Sequence, residues 1–174
     1  MKKLMNKIIN QIPYINRYSH INALGGIGVG LFLMNFVFQR VFFINHQIIT
    51  QVHYTSRIIG ENIKFNEDRN TILSFAVSGG VYIQSINGVI IKNDVMFAPG
   101  VKIVSANHNK DKRRESDVSE PIIIGERVWI GANAVILPGV EIADDCIIGA
   151  GTIVTKSFLE KNSIIVGNPA KKIN

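Results

Sequence analysis

The stretch that decides the fold is residues 124–159, which divides into six hexapeptides: IGERVW, IGANAV, ILPGVE, IADDCI, IGAGTI and VTKSFL. The first position of every hexapeptide is Ile or Val, and the fifth is mostly small or β-branched. A period of six matches neither an α-helix nor an alternating strand. It matches short strands separated by corners at which Gly, Asn or Asp tolerates unusual backbone angles. The repeat therefore predicts the stacked coils of a parallel β-helix with an aliphatic interior.

A second block of the same repeat lies upstream, in residues 79–108. The phase breaks between the blocks, because Ile124 follows Ile103 by 21 positions, which is three repeats and three extra residues. The excess falls in residues 107–121, NHNKDKRRESDVSEP, which are polar, highly charged and without hydrophobic period. We therefore expect a loop extruded from one corner of the coil, and loops on rigid scaffolds are common places for chemistry.

The first fifty residues carry a different pattern. Apolar residues recur at helical spacing before Pro13, which should end or bend that helix. The apolar run over residues 24–38 is interrupted only by Asn35, and it is shorter than the ~20 residues of a membrane-spanning helix. Residues 1–50 are therefore expected to form a helical arm that packs on the domain or on a neighbouring subunit. The alternative is an interfacial membrane helix aided by Lys2, Lys3, Lys7 and Arg17.

Composition narrows the function classes. With 174 residues, of which 47% are hydrophobic and 18% charged, the chain suits one compact domain rather than a disordered segment. Its formal net charge of +6 suits nucleic acid, an acidic membrane face or a phosphate-rich cofactor as partner. Nucleic acid is disfavoured, because the basic residues are scattered and no recognised module is present. The single cysteine, Cys146, excludes an internal disulfide and a multi-cysteine metal site.

Several motifs follow one another along this repeat in a fixed order. They are Ala106-Asn107-His108, Trp129-Ile130-Gly131-Ala132, Leu137-Pro138-Gly139-Val140, Gly149-Ala150-Gly151, Val154-Thr155-Lys156 and Gly167-Asn168-Pro169-Ala170-Lys171. Together they resemble the hexapeptide-repeat acyltransferases, and in particular the maltose, galactoside and polysaccharide O-acetyltransferase branch, over residues 52–172. The resemblance implies an all-β, left-handed parallel β-helix domain with a C-terminal tail over residues 51–174. It also implies a homotrimer with active sites between subunits and acetyl-CoA as acyl donor.

The resemblance implies roles for individual residues on the acceptor side. His108 is the expected general base, because a neutral imidazole can accept the proton of a sugar hydroxyl and return it to the CoA thiolate. Asn107 is expected to orient that base or bind the acceptor, with a turn role as the alternative. Ser78 stands about where the galactoside and maltose enzymes carry an acceptor-binding Asn, and this departure favours a surface glycan over a free sugar. The acceptor-side candidates are Ser78, Tyr82, Gln84 and Asn87.

The donor side is implied by the later motifs. Trp129 is expected beside the CoA arm, with an ordinary aromatic at a trimer interface as the alternative. Backbone N–H groups near Gly131 and Ala132 are candidate donors to the oxyanion, and those of Ala132 and Ala150 are candidate contacts of the pantetheine arm. Lys156, Lys171 and Lys172 are candidate partners of the CoA phosphates. The flanking Thr155 and Pro169 complete the cofactor-binding candidates.

The predicted activity is acetyl-CoA-dependent O-acetylation of a sugar hydroxyl in surface polysaccharide or lipopolysaccharide biosynthesis. We expect a cytoplasmic location, either free or at the inner face of the membrane. Three alternatives stay open: an N-acetyltransferase on an amino or nucleotide sugar, a serine O-acetyltransferase, and a non-catalytic β-helix scaffold. A zinc carbonic anhydrase needs three converging histidines, whereas only His108 lies in or beside the strong repeats, so no metal is expected.

Overall fold

The computed structural model describes residues 26–112 and 115–174. The helix expected before Pro13 and the basic residues Lys2, Lys3, Lys7 and Arg17 lie outside the described residues. Short strands dominate the described part, together with two α-helices and a π-helical turn. In chain order the elements are α1 (Val29–Phe36), the π-helical turn (Val37–Val41), β1 (Arg57–Ile59), β2 (Ile63–Phe65), α2 (Arg69–Val77), β3 (Tyr82–Gln84), β4 (Val89–Ile91), β5 (Met96–Phe97), β6 (Lys102–Val104), β7 (Ile122–Ile124), β8 (Trp129–Ile130), β9 (Val135–Ile136), β10 (Glu141–Ile142), β11 (Ile147–Ile148), β12 (Ile153–Val154), β13 (Ile164–Val166) and β14 (Lys171–Lys172).

The strands form three sheets, which the chain visits in turn. The first sheet has the order β1-β3-β6-β9-β12, the second β2-β4-β7-β10, and the third β5-β8-β11-β13-β14. Every pairing is parallel except that of β13 with β14, which is antiparallel. From β3 to β11 the chain passes from the first sheet to the second, then to the third, three times over. A mostly β fold with parallel sheets is therefore confirmed.

The aliphatic interior that the repeat predicts is also confirmed. The first hexapeptide positions are all buried: Ile124, Ile130, Ile136, Ile142, Ile148 and Val154. Strand register places equivalent residues of successive coils side by side, as in the third sheet, where the paired row is Phe97, Ile130, Ile148 and Ile165. Burying one Ile side chain contributes about 1.5–3 kcal/mol relative to leaving it exposed. The core is thus a set of ladders that run along the stack of coils.

Backbone angles at the corners explain the polar positions of the repeat. Asp94, Arg127 and Asp145, which lie between the second and third sheets, and Asn162, which lies just before β13, all have φ values between 56° and 62°. Asn and Asp tolerate this left-handed region better than most residues, so three of the four fit. Arg127 does not, and its guanidinium forms a two-point pair with the next coil, with Nε 2.6 Å and Nη2 2.8 Å from the Asp145 carboxylate oxygens. The ion pair therefore links neighbouring coils at this corner.

The helical arm is confirmed only in part, as α1 and the π-helical turn. Asn35, the one polar residue of the apolar run, is fully buried, whereas Leu33 is 54% exposed. The Asn35 side-chain amide donates to the Ala76 carbonyl at 2.9 Å, and its oxygen accepts from the Tyr54 N–H at 2.9 Å. The arm is thus attached through a polar contact to α2. Within residues 26–112 and 115–174, no helix has the length and apolar character needed to cross a membrane.

Helix α2 was not predicted from the repeat, and it takes the place of a strand at the edge of the third sheet. Asp68 caps its N-terminus by accepting from the Thr71 N–H at 3.0 Å. The Thr71 and Ser74 hydroxyls accept from the N–H groups of Val95 and Phe97, at 3.1 and 3.2 Å. These are donors that an exposed edge strand would leave unpaired. The helix therefore caps the end of this sheet.

Candidate active site

The extruded loop runs from the end of β6 in the first sheet to β7 in the second and folds as a short antiparallel ribbon. A bridge pairs His108 with Ser116. The Asp117 N–H donates to the Asn107 carbonyl, and the Asn109 N–H to the Glu115 carbonyl, each at 2.9 Å. Both predicted catalytic residues, Asn107 and His108, are exposed in the first arm of this ribbon. The His108 imidazole is thus accessible to a substrate, while its backbone is held in place.

The predicted acceptor residues do not share one environment. Ser78 is 3% exposed and its hydroxyl donates to the Phe97 carbonyl at 2.6 Å, so the structure differs from the prediction that it binds an acceptor. The Gln84 side-chain oxygen accepts from the Ala106 N–H at 3.1 Å, at the start of the loop. The Asn87 side-chain nitrogen also contacts the ends of the loop. Tyr82 is half-buried on β3. Gln84 and Asn87 therefore hold the loop rather than line open space.

On the third sheet, Trp129 and Gly131 play different parts. The Trp129 side chain is 49% exposed on β8 and pairs in register with Met96 and Ile147. The Gly131 N–H donates to the Ile148 carbonyl at 2.7 Å, so it is occupied and does not supply the predicted oxyanion donor. A Cβ on Gly131 would lie 2.6 Å from the Ala150 nitrogen. Gly131 thus serves the close stacking of two coils, whereas Trp129 offers an exposed aromatic surface.

Two stacked turns leave a pair of unused backbone donors between the third and first sheets. In one turn the Ala134 N–H donates to the Gly131 carbonyl at 3.2 Å. In the turn of the next coil the Thr152 N–H donates to the Gly149 carbonyl at 3.3 Å. The Gly151 N–H joins the two turns by donating to the Ala132 carbonyl at 2.8 Å. Among the residues that the structure describes, the N–H groups of Ala132 and Ala150 have no acceptor. Two such donors, one coil apart, suit an extended ligand with carbonyl groups.

The lysines near the C-terminus are not equivalent. Lys172 forms an ion pair with Glu160, which leaves its charge partly compensated. Lys171 is exposed on β14, and the exposed Lys156 has its Nζ 5.8 Å from the centre of the Phe158 ring. Thr155 and Pro169 are also exposed. Lys156 and Lys171 are therefore better placed than Lys172 to bind a phosphate.

Within the residues that the structure describes, one chain alone does not gather these candidates into a single pocket. The His108 loop and Lys156 follow first-sheet strands, on the side that leads to the second sheet. Trp129 lies on the third sheet, and Ala132 and Ala150 lie in turns that lead from the third sheet to the first. A cavity of about 460 Å³ lies elsewhere, and it is lined by Gln47, Ile48, Ile49, Glu61, Ile63, Lys64, Phe65 and Glu67, none of which was predicted.

His53 shows what a histidine outside the loop does in this fold. Its Nδ1 accepts from the Thr55 N–H at 3.2 Å and lies 2.8 Å from the Thr55 hydroxyl. This pattern assigns the ring proton to Nε2. Burial lowers the pKa of His53 and so favours the neutral ring. His53 therefore has a structural role beside the first coil. Within the described part of the chain, no group of three or more His, Cys, Asp or Glu side chains is placed to hold a metal ion.

Sequence reasoning missed Ser105 and Ser119, which lie on either side of the loop. The Ser119 hydroxyl donates to the Ser105 carbonyl at 3.0 Å, so the two residues meet at the base of the ribbon. Small polar residues on both sides of a charged insertion are the signal that could have indicated this contact, because their hydroxyls readily bond to the backbone.

Comparisons with known proteins agree with the repeat. Residues 121–156 match the family model described as the hexapeptide repeat of succinyl-transferase. The galactoside O-acetyltransferase of Escherichia coli (strain K12) is 41% identical over 88 residues, which cover 49% of this chain and 43% of that protein. WbbJ of the same strain, provisionally named a lipopolysaccharide biosynthesis O-acetyl transferase, is 36% identical over 110 residues, covering 56% and 55%. The chain spans about half the length of the curated relatives that it matches.

A solved structure supports the fold. A mutant of AntD, an N-acyltransferase from Bacillus cereus, aligns with a TM-score of 0.52 and 17% sequence identity, over 71% of this chain and 80% of that chain. At that identity the likeness concerns the fold alone. The hexapeptide match concerns the sequence itself over residues 121–156, which carry most of the motifs, and the two O-acetyltransferase relatives are also similar in sequence. The resemblance of this chain to the hexapeptide-repeat acyltransferases is therefore confirmed.

Proposed function

We propose that this protein is an acetyl-CoA-dependent O-acetyltransferase that acts on a sugar hydroxyl in surface polysaccharide or lipopolysaccharide biosynthesis. The observation that carries the proposal is the loop that interrupts the repeat, since it presents an exposed His108 on a ribbon attached to a rigid stack of coils. The relatives named for galactoside and lipopolysaccharide O-acetylation support a sugar acceptor. The proposed location is the cytoplasm; contact of the arm with a membrane rests on basic residues that lie outside the described ones.

His108 carries the proposed chemistry. Its neutral imidazole accepts the proton of the acceptor hydroxyl while the oxygen attacks the carbonyl carbon of the thioester. The same proton goes to the departing CoA thiolate, so the imidazole ends neutral and an acetyl ester has replaced the thioester. A positioned base of this kind contributes roughly 10²- to 10⁴-fold to the rate. Asn107, the neighbouring residue on the ribbon, is proposed to orient the ring or the acceptor.

The acyl donor is proposed to lie along the turns between the third and first sheets. The unused N–H groups of Ala132 and Ala150 suit the carbonyl groups of a pantetheine arm, and Trp129 offers an exposed face for it to pack against. Lys171 is the proposed phosphate partner from the same chain, and Lys156, which lies on the side of the His108 loop, is the proposed partner from a neighbouring subunit, because a lysine binds phosphate as a point charge. Lys172 contributes less, since Glu160 already pairs with it. Thr155 and Pro169, which are both exposed, are the remaining proposed cofactor contacts.

We propose that the complete site forms between copies of the chain in a homotrimer. The base and the donor surface lie on different sides of one chain, so the loop of one subunit has to meet the third sheet of another. The proposed scaffold is a left-handed β-helix over residues 51–174, with residues 1–50 as an arm that packs on it or on a neighbour. Exposed Met96 beside Trp129 gives the third sheet an apolar outer surface suited to such an interface.

The test separates binding from chemistry. For the wild type, acetyl-CoA at a hundred times its dissociation constant should stabilise the fold by about 2.7 kcal/mol. His108→Ala should keep that thermal shift and lose acetyl transfer to methyl β-galactoside or methyl α-glucoside by at least about 10²-fold. His46→Ala, an exposed histidine on the arm, is the matched control and should change neither readout. Absence of a shift at millimolar acetyl-CoA would favour the scaffold alternative, and transfer only to amino sugars would favour the N-acetyltransferase.

A further inference from the structure

Asn87 occupies the corner directly before the one that carries the loop. It lies between β3 and β4, where the chain passes from the first sheet to the second. The loop leaves at the same corner one coil later, between β6 and β7. Since β6 pairs with β3 and β7 with β4, successive coils stack at this corner. Stacking therefore sets Asn87 against both ends of the loop.

The Asn87 side-chain amide touches residues on both sides of His108. Its Nδ2 lies 2.9 Å from the Ser105 carbonyl, 2.7 Å from the Asp117 carbonyl and 3.0 Å from the Ser119 hydroxyl. An amide nitrogen has two protons, so these three acceptors share them. The backbone N–H of Asn87 also donates to the Ser105 hydroxyl at 3.0 Å. One residue thus joins the two ends of the ribbon to each other and to the preceding coil.

We propose that Asn87 is a positioning residue for the loop: its amide closes the base of the ribbon and so fixes His108 relative to the coil, instead of binding the acceptor. The proposal rests on the proposed function, in which His108 is the base. The ribbon has its own bonds, such as the one between Asn109 and Asp117. Those bonds preserve its shape but do not attach it to the coil, and the Gln84 side chain attaches only the start of the loop, through the Ala106 N–H. A reacting group displaced by about 1 Å can lose about 10²-fold in rate.

The decisive variant is Asn87→Asp, which keeps the shape of the side chain and replaces its donor by a second acceptor. We expect kcat with acetyl-CoA and methyl β-galactoside to fall by about 10- to 100-fold, with the KM values of both substrates within about twofold. Trypsin should cleave after Lys110 and Lys112 at least about ten times faster, because opening of the loop admits the protease. Asn87→Ala, which adds no charge, should show the same pattern, and it serves if the Asp variant unfolds.

Asn62→Asp is the matched control. Asn62 lies at the same corner one coil earlier, and its amide donates to the Ile86 carbonyl at 2.9 Å without touching the loop. Its variant should match the wild type in kcat and in cleavage rate. Unchanged cleavage of both Asn87 variants, faster cleavage with unchanged kcat, or a rise in acceptor KM alone would each overturn the proposal. If the wild type transfers no acetyl group, the proposed function fails, while the cleavage rates still decide whether Asn87 closes the loop.

Discussion

Gly131→Ala tests whether close stacking of coils, rather than backbone freedom, requires glycine at the turn beside Trp129. The added Cβ would lie 2.6 Å from the Ala150 nitrogen and 2.9 Å from the Ile148 carbonyl oxygen. Both atoms belong to the backbone of the next coil, so no side chain can rotate away. The Gly131 N–H already donates to that same Ile148 oxygen at 2.7 Å. Relief of the contact must therefore lengthen a hydrogen bond that joins two coils.

Overpacking of this kind usually costs about 1–3 kcal/mol, and backbone contacts place Gly131→Ala near the upper value. In a chain of this size, about 1 kcal/mol corresponds to about 2–4 °C, so the melting temperature should fall by about 6–12 °C. Gly30→Ala is the control of opposite sign. Gly30 lies inside α1, and a Cβ added there would meet nothing within 4 Å, so the same substitution should stabilise by up to about 1 kcal/mol.

The assay is thermal unfolding followed by circular dichroism, with all proteins at one concentration, because the melting temperature of the proposed trimer would depend on concentration. Saturating acetyl-CoA should be left out, so that a change in ligand affinity does not enter the result. A Gly131→Ala melting temperature within about 2 °C of the wild type would refute the reasoning, since it would show that the two coils separate at little cost. Equal shifts for both variants would refute it as well.

Two further predictions concern pH. The Lys161 ammonium, together with the backbone N–H of Glu126, lowers the pKa of Asp144 from 3.8 to about 2. The charged Asp144 carboxylate therefore stabilises the fold at pH values above 3.8, and this stabilisation is lost as the pH falls toward 2. Unfolding measurements should show Asp144→Asn less stable than the wild type at pH 7, with the difference shrinking below about pH 4; a constant difference would contradict this. Burial lowers the pKa of His53, so the wild type should lose stability as the pH falls through 6.5, whereas His53→Asn, which keeps an acceptor for the Thr55 N–H, should lose less. Equal losses between pH 7.5 and 5.5 would exclude His53 as the cause.

The interior of this fold could be predicted because its cause is local. A residue every six positions faces inward wherever short strands and corners alternate, so Ile124 and its equivalents can be assigned without knowing which coil lies next to them. The loop could be predicted for the same reason, as a polar interruption in a strict period. Trp129, Ala132 and His108 were predicted as site residues from the order of the motifs along the chain. In the structure Trp129 is half-exposed, Ala132 has a free backbone N–H, and His108 lies on an exposed ribbon.

The features that the sequence did not predict correctly share a different cause, which is contact between coils. Ser78 was expected to bind an acceptor, but its hydroxyl is used by the Phe97 carbonyl 19 residues away. The Gly131 N–H was expected to donate to the oxyanion, but it donates to the carbonyl of Ile148 in the next coil. Helix α2 interrupts the repeat, and its Thr71 and Ser74 hydroxyls accept from the N–H groups of Val95 and Phe97 at the edge of the third sheet. Each of these bonds depends on which residues the stack places side by side, and a six-residue period does not contain that register.

The role of Asn87 depends both on the local sequence pattern and on the contacts between coils. The sequence places it near the site, and the stack decides that it binds the loop rather than a ligand. If one corner amide attaches both ends of the ribbon, the residues between those ends need not contact the coil for the ribbon to stay attached. Such a loop can change in length and charge while His108 keeps its place, since long surface loops add little to the entropy of closure. In the proposed trimer, the rigid repeat would then fix where the proposed base His108 stands, and the loop and the neighbouring subunit would determine which acceptor reaches it.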